Sequence, residues 1–118
     1  ADTRASLDLP AKFALLETFD LEGAHPQLIH VHTKEFSAVC PGTGLPDIGT
    51  LDIEYIPTRR CVELKSLKYY LFSFRNEGIF QEPATDVIFG HLWQLLAPRY
   101  LKLRLQYNIR GGFDTVCY

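Results

Sequence analysis

Apolar and polar residues alternate over residues 28–39, where Ile29, Val31 and Thr33 are set against His30, His32 and Lys34. A period of two belongs to a strand with one buried face and predicts one here. Residues 50–56 alternate again, with Leu51, Ile53 and Tyr55 on one face, until Pro57 stops the run. Two such strands make a natural antiparallel pair. The period then lengthens. Leu64, Leu67, Leu71 and Phe74 recur at three- and four-residue steps between residues 61 and 76, which predicts a helix, with Lys65, Lys68 and Arg75 gathered on another of its sides. Pro83 in a first helical turn, followed by Val87, Ile88, Leu92, Leu95 and Leu96, predicts a second helix that Pro98 ends. Residues 100–109 alternate Leu101, Leu103, Leu105 and Tyr107 against Lys102, Arg104, Gln106 and Asn108, a third strand. Arg110-Gly111-Gly112 predicts a tight turn into a fourth strand over residues 113–118. Two strands, two helices and two strands predict an α+β fold, an antiparallel sheet carrying both helices on one face. Residues 1–27, with Pro10, Gly23 and Pro26 around the apolar run Phe13-Ala14-Leu15-Leu16, read as an arm holding one short element.

Composition narrows the function classes. At 118 residues and 47% hydrophobic, the chain is expected to form a single domain over 1–118 with one core. Its formal charge of −2 supplies no electrostatic reason to bind nucleic acid or an anionic membrane, so a small-molecule ligand fits better. Cys40, Cys61 and Cys117 are odd in number and form no metal-ligand spacing, so neither a zinc site nor a secreted disulfide framework is expected. No metal is expected at all. No apolar run has the length of a membrane helix, and Ala1-Asp2-Thr3-Arg4 opens no leader peptide, which makes a reducing cytoplasm the expected compartment. No G-x-G-x-x-G follows a strand, so a dinucleotide would not be held by a Rossmann unit.

The candidate chemistry lies in Cys40-Pro41-Gly42-Thr43-Gly44-Leu45-Pro46-Asp47. Two prolines and two glycines make a rigid irregular loop at which a ligand can arrive. There a cysteine and an aspartate read as a nucleophile and its proton donor. A lone cysteine also serves as a buried apolar filler, and these two residues alone leave both readings open.

The rest of the chain weighs on that choice. Cys40-Pro41-X-Thr43-Gly44-X-Pro46-Asp47, residues 63–70 (Glu-Leu-Lys-Ser-Leu-Lys-Tyr-Tyr), Ser73-Phe74-Arg75-Asn76, Phe80-Gln81-Glu82, Pro98-Arg99-Tyr100 and Arg110-Gly111-Gly112 occur in this order. Together they resemble the NADPH-dependent 7-cyano-7-deazaguanine reductases, the nitrile reductases of queuosine biosynthesis, in their short single-module form. The resemblance covers roughly residues 35–113 and implies the tunnelling fold, whose subunits join their sheets into a ring, so that a homo-oligomer with active sites between subunits is expected. It implies NADPH as cofactor and a deazapurine nitrile as substrate. Cys40 would add to the nitrile carbon to give a thioimidate, and Asp47 would protonate the nitrogen.

By the same resemblance Glu82 would take the guanine-like edge, with Phe80, Gln81 and the main chain of Val62, Glu63 and Leu64 lining the pocket. Lys65, Ser66, Lys68 and Tyr70 would meet the nucleotide with Arg110 and Gly111. Each position also has an ordinary use. Glu82 is a first-turn acid suited to the helix dipole, Lys65 and Lys68 are a solvated helix face, and Arg110 opens a turn. Two positions depart from the family pattern. Gln81 and Glu77 stand where it usually carries histidine, and glutamine hydrogen-bonds without shuttling a proton. His25, His30, His32 and His91 match no motif and read as surface or strand residues. Two further functions stay open. One is an archaeosine-type amidine synthase that would add ammonia to the same thioimidate without NADPH; the other is a non-catalytic purine-binding ring protein.

Overall fold

The computed structural model describes residues 6–109 and 111–118. In chain order its elements are α1 (Leu9–Phe13), β1 (Thr18–Asp20), β2 (Ile29–Val39), β3 (Pro46–Ile56), β4 (Arg60–Val62), α2 (Leu64–Phe72), α3 (Gln81–Leu96) and β5 (Tyr100–Tyr107). β2, β3 and β5 form an antiparallel sheet in that order, and β1 with β4 forms a separate two-stranded ribbon. The expected α+β class with antiparallel pairing is therefore present. The inward residues of the sheet, among them Leu51, Ile53, Tyr55, Leu103 and Leu105, join Leu67, Tyr70, Phe74, Ile88 and Leu92 of the helices and their flanks in one core. Among the described residues no helix is long and apolar enough to cross a membrane.

β2 does not keep one phase. Thr33 pairs with Leu51 but Phe36 pairs with Gly49, so Lys34 and Glu35 bulge opposite a single residue. Before the bulge the odd residues Ile29, Val31 and Thr33 are the more covered; after it Phe36 and Ala38 are buried instead. Cys40 follows in the parity of Phe36 and Ala38. The bulge thus directs the cysteine to the same side as Asp47, which pairs with Ala38 and shares the inward face of Gly49 and Leu51.

Gly49 is required by its neighbour strand. A Cβ there would lie 2.8 Å from the Gln106 carbonyl oxygen and 3.1 Å from the Tyr107 ring. Both atoms belong to β5, which cannot retreat without breaking the ladder. Gly49→Ala is expected to lower stability by about 1–3 kcal/mol, the usual cost of overpacking, read as a lowered thermal midpoint.

α1 ties the arm to this frame. Lys12 is buried, and its ammonium donates to the Ser73 carbonyl, pairs with the Glu77 carboxylate at 3.1 Å and sits 4.7 Å over the Phe74 ring. Glu77, one of the two positions departing from the family pattern, therefore anchors the arm, and its carbonyl accepts the Val39 N–H at 2.8 Å, one residue before Cys40.

The fourth strand expected over residues 113–118 is not formed. Among the described residues no strand runs through this segment; Cys117 bridges to Leu105 by two hydrogen bonds of 2.9 Å. The antiparallel register would next set Tyr107 opposite Thr115. There the side chain of Gln81 enters between them, accepting from the Tyr107 N–H at 3.2 Å and donating to the Thr115 carbonyl at 2.8 Å. A side-chain amide thus replaces one backbone pair and the ladder stops.

Candidate active site

The loop after β2 is fixed at both ends. The Cys40 N–H donates to the Leu45 carbonyl and the Gly44 N–H returns to the Cys40 carbonyl, both at 2.9 Å. Gly44 closes this turn with φ of +73°, a conformation that glycine adopts at no steric cost. Beneath it Val39 is held in a parallel bridge to Gly78, donating to Glu77 and accepting from Ile79. Cys40 is therefore presented from a braced turn, half-buried.

The surroundings of its sulfur favour the thiolate. The Thr43 hydroxyl, the Thr43 N–H and the Gly42 N–H, in that order of effect, lower the pKa of the Cys40 thiol. Partial burial and the charge of Asp47 oppose this more weakly. A buried filler would need no such cradle.

Asp47 is 6% exposed and opens onto the same cleft. This cleft, about 290 Å³, brings Cys40, Asp47 and Tyr107 together with Phe80, Phe113 and Thr115, and with Gln81, Glu82 and Asn108 at the N-terminus of α3 and the end of β5. Burial pushes the Tyr107 phenol far up, with the charges of Asp47, Glu82 and Cys117 adding to it, so it remains a neutral donor; its hydroxyl reaches the Ile79 carbonyl at 3.3 Å. Phe80 and Phe113 are 48% and 79% exposed. Two wet aromatic rings beside a carboxylate suit a flat heteroaromatic ligand with N–H groups on its edge. Glu82 is exposed in the first turn of α3, where Phe80 supplies no side-chain cap, so its carboxylate can face both the cleft and the helix dipole.

The other residues singled out in the sequence divide. Val62, Glu63 and Leu64 line no part of this cleft. Val62 is buried in β4, its N–H donating to the Tyr55 hydroxyl at 3.1 Å. Glu63 caps α2, its carboxylate accepting from Lys65 N–H at 2.8 Å and Ser66 N–H at 2.9 Å. α2 has nine residues, about 14 Å of helix, and it separates this cap from the segment that braces Val39. Leu64 and Lys68 instead edge a second hollow against β2, with Val31, Thr33 and Glu35.

Ser66 and Tyr70 need correction as nucleotide contacts. Ser66 is buried, its hydroxyl donating to Glu63 and accepting the Glu17 N–H at 2.9 Å. Tyr70 lies on the inward face of α2 with Leu67 and Leu71, fully buried, its hydroxyl 2.7 Å from Nδ1 of His91. Burial and the charge of Lys12 lower the His91 pKa, which keeps that imidazole neutral and able to accept from Tyr70. Lys65 and Lys68 do remain exposed on α2, and the Lys68 ammonium lies 5.6 Å over the Phe72 ring. Gly111 is exposed with φ of +61°, and Arg110 lies outside the described residues.

Gln81 also differs from expectation. It borders the cleft, yet its Nε2 donates to the Leu105 and Thr115 carbonyls and its Oε1 accepts from Tyr107, so both donors are engaged within the chain. Tyr107, Asn108, Phe113 and Thr115 were not anticipated as site residues. For Tyr107 the signal was present, since it is the last apolar residue of an alternating strand opposite a glycine. The residues after Gly112 carried none.

Residues 46–118 match a family model described as QueF-like protein. The NADPH-dependent 7-cyano-7-deazaguanine reductase of Chlorobium phaeobacteroides is 52% identical over 108 residues, 88% of this chain and 92% of that protein. The protein of the same name from Chlorobium chlorochromatii is 47% identical over 109 residues, 89% and 92% of the two chains. That of Thermotoga maritima is 52% identical over 101 residues, covering 85% of this chain and 73% of its own. Among solved structures, the apo archaeosine synthase QueF-Like superposes with a TM-score of 0.70 at 22% identity, over 79% of this chain and 91% of that one, and shares the fold.

Proposed function

The chain belongs to the family of NADPH-dependent 7-cyano-7-deazaguanine reductases, and from that premise we propose that it reduces the nitrile of 7-cyano-7-deazaguanine to the primary amine through a covalent adduct on Cys40. The observation that carries this reading is Cys40, presented from a braced turn, in one cleft with the buried carboxyl of Asp47. A nitrile carbon is a weak electrophile, and a thiolate is the strongest soft nucleophile among side chains. Cys40 Sγ bonds to the nitrile carbon, the C≡N bond becomes C=N, and the Asp47 carboxylate passes the proton released by the Cys40 thiol to the nitrogen, giving a neutral thioimidate. Phe80 and Phe113 flank the ring and Glu82 accepts from its amino and ring N–H groups. After reduction of the adduct the C–S bond breaks, returning the thiolate to the Thr43 and Gly42 donors.

The residues on α2 fit a phosphate-bearing cofactor in part. Lys65 and Lys68 offer exposed cations; Ser66 and Tyr70, both buried, do not contribute. NADPH supplies hydride when bound, and the four-electron change from nitrile to amine consumes two equivalents. Because Lys68 edges a hollow other than the cleft that holds Cys40, and Lys65 does not line that cleft, a second copy of the chain would bring a cationic helix face to the Cys40 cleft. The open edge of β2, eleven residues long, supports such assembly. Three free cysteines fit a reducing cytoplasm.

Incubating the protein with the nitrile and NADPH tests the reading. Two NADPH oxidised per amine formed is expected. Consumption of ammonia without NADPH oxidation would replace reduction by amidine formation, and binding with no turnover would leave a purine-binding protein.

A further inference from the structure

We propose that Gln81 is a positioning residue, a wedge that holds the C-terminal segment off β5 and so sets the width of the cleft. Its side chain is 8% exposed for the residue as a whole and enters the edge of β5 where a neighbouring strand would pair. Leu105 is already paired with Cys117 through both backbone groups, and the next pair in that register is Tyr107 with Thr115. Gln81 bonds each of these two backbone groups, and its Nε2 also donates to the Leu105 carbonyl at 2.9 Å and lies 3.4 Å from Cys117 Sγ. The Thr85 hydroxyl fixes the wedge from below by donating to the Gln81 carbonyl at 2.8 Å.

The segment so displaced carries Phe113 and Thr115, both of which line the cleft opposite Tyr107. A second tie, from Gln106 Nε2 to the Asp114 carboxylate, holds the same segment from the other face of β5. The distance between Tyr107 and Thr115 is therefore the length of a carboxamide and not that of a backbone hydrogen bond. With both its N–H groups engaged, Gln81 has no donor for substrate. Its influence on the reaction passes through Phe113 and Thr115.

The kinetic part of this proposal rests on the nitrile-reductase reading; the structural part does not. Gln81→Ala is expected to change amide exchange at Tyr107 and Cys117, and to raise the KM for the nitrile by roughly ten-fold, the factor that one hydrogen-bonded contact carries. The pH profile of nitrile capture should stay that of the wild type, and kcat should change far less than KM. Gln106→Ala, a solvent-side change that leaves the core intact, should raise the same KM by a smaller factor. Unaltered exchange at Tyr107 and Cys117 in Gln81→Ala would overturn the wedge, as would an unaltered KM in both variants. A shifted pH limb would overturn it too, since it would place Gln81 on the proton path. If the wild type fails to capture nitrile, the functional reading falls, and exchange in the free protein still decides the wedge.

Discussion

Cys40→Ala is expected to abolish both nitrile capture and NADPH-dependent turnover while leaving the fold intact. Intact-mass measurement after incubation with the nitrile alone should show wild type heavier by one substrate and the variant unchanged. The turn does not depend on the side chain, because Cys40 holds Leu45 and Gly44 through backbone groups. Loss of a covalent nucleophile removes the reaction path itself, so turnover should fall by orders of magnitude. An unmodified wild-type spectrum under saturating substrate would refute the mechanism. The pH dependence has a definite sign. The Thr43 and Gly42 donors favour the thiolate, so the capture rate should reach its plateau at a pH below that of an ordinary thiol and fall off only on further acidification. Thr43→Val removes the strongest of these donors, and the limb should move to higher pH; Thr43→Ser should keep it in place.

How far the sequence carried this reading depends on which interactions are local. The alternation of Leu51, Ile53 and Tyr55 and the helical spacing of Leu64, Leu67 and Leu71 report burial directly, and those elements occur within a few residues of the expected bounds. Cys40 and Asp47 were visible because a proline- and glycine-rich loop is a local signal, and the cleft indeed contains both. Asp47 lies in β3 and not in the loop, since Pro46 opens the strand early. The bulge at Lys34 and Glu35 was hidden by a pattern that reads as continuous alternation through Thr33; only the pairing of Phe36 with Gly49 reveals the change of phase. α1, β1 and β4 are too short for a period to show.

The misreadings are long-range. Tyr70 belongs to the inward face of its own helix with Leu67 and Leu71, a placement that a motif alone does not reveal. The strand expected over residues 113–118 failed because Gln81, more than 30 residues earlier, takes a place in its ladder. No window of sequence contains both partners. The same long-range contact shows why glutamine is useful at this position: histidine has two ring nitrogens, and a carboxamide offers two donors and an acceptor to three backbone groups at once.

Asp47→Asn separates proton supply from attack. The variant keeps the size and hydrogen-bonding ability of the side chain at a site only 6% exposed, so the cleft should survive, and the Coulombic repulsion that opposes the Cys40 thiolate disappears. The thiolate fraction should therefore rise, and alkylation of Cys40 by a simple haloacetamide, which needs no acid, should be as fast as in wild type or faster at a given pH. Nitrile capture should move the other way. Addition of sulfur to the carbon leaves charge on nitrogen, and an amide cannot supply the proton, so capture should slow by about 10²–10⁴-fold, the span of a lost general acid. Opposite signs for two electrophiles at one sulfur cannot come from disordering the loop, which would slow both. Equal effects on the two reactions would remove Asp47 from the proton transfer and leave it a structural carboxylate at the start of β3.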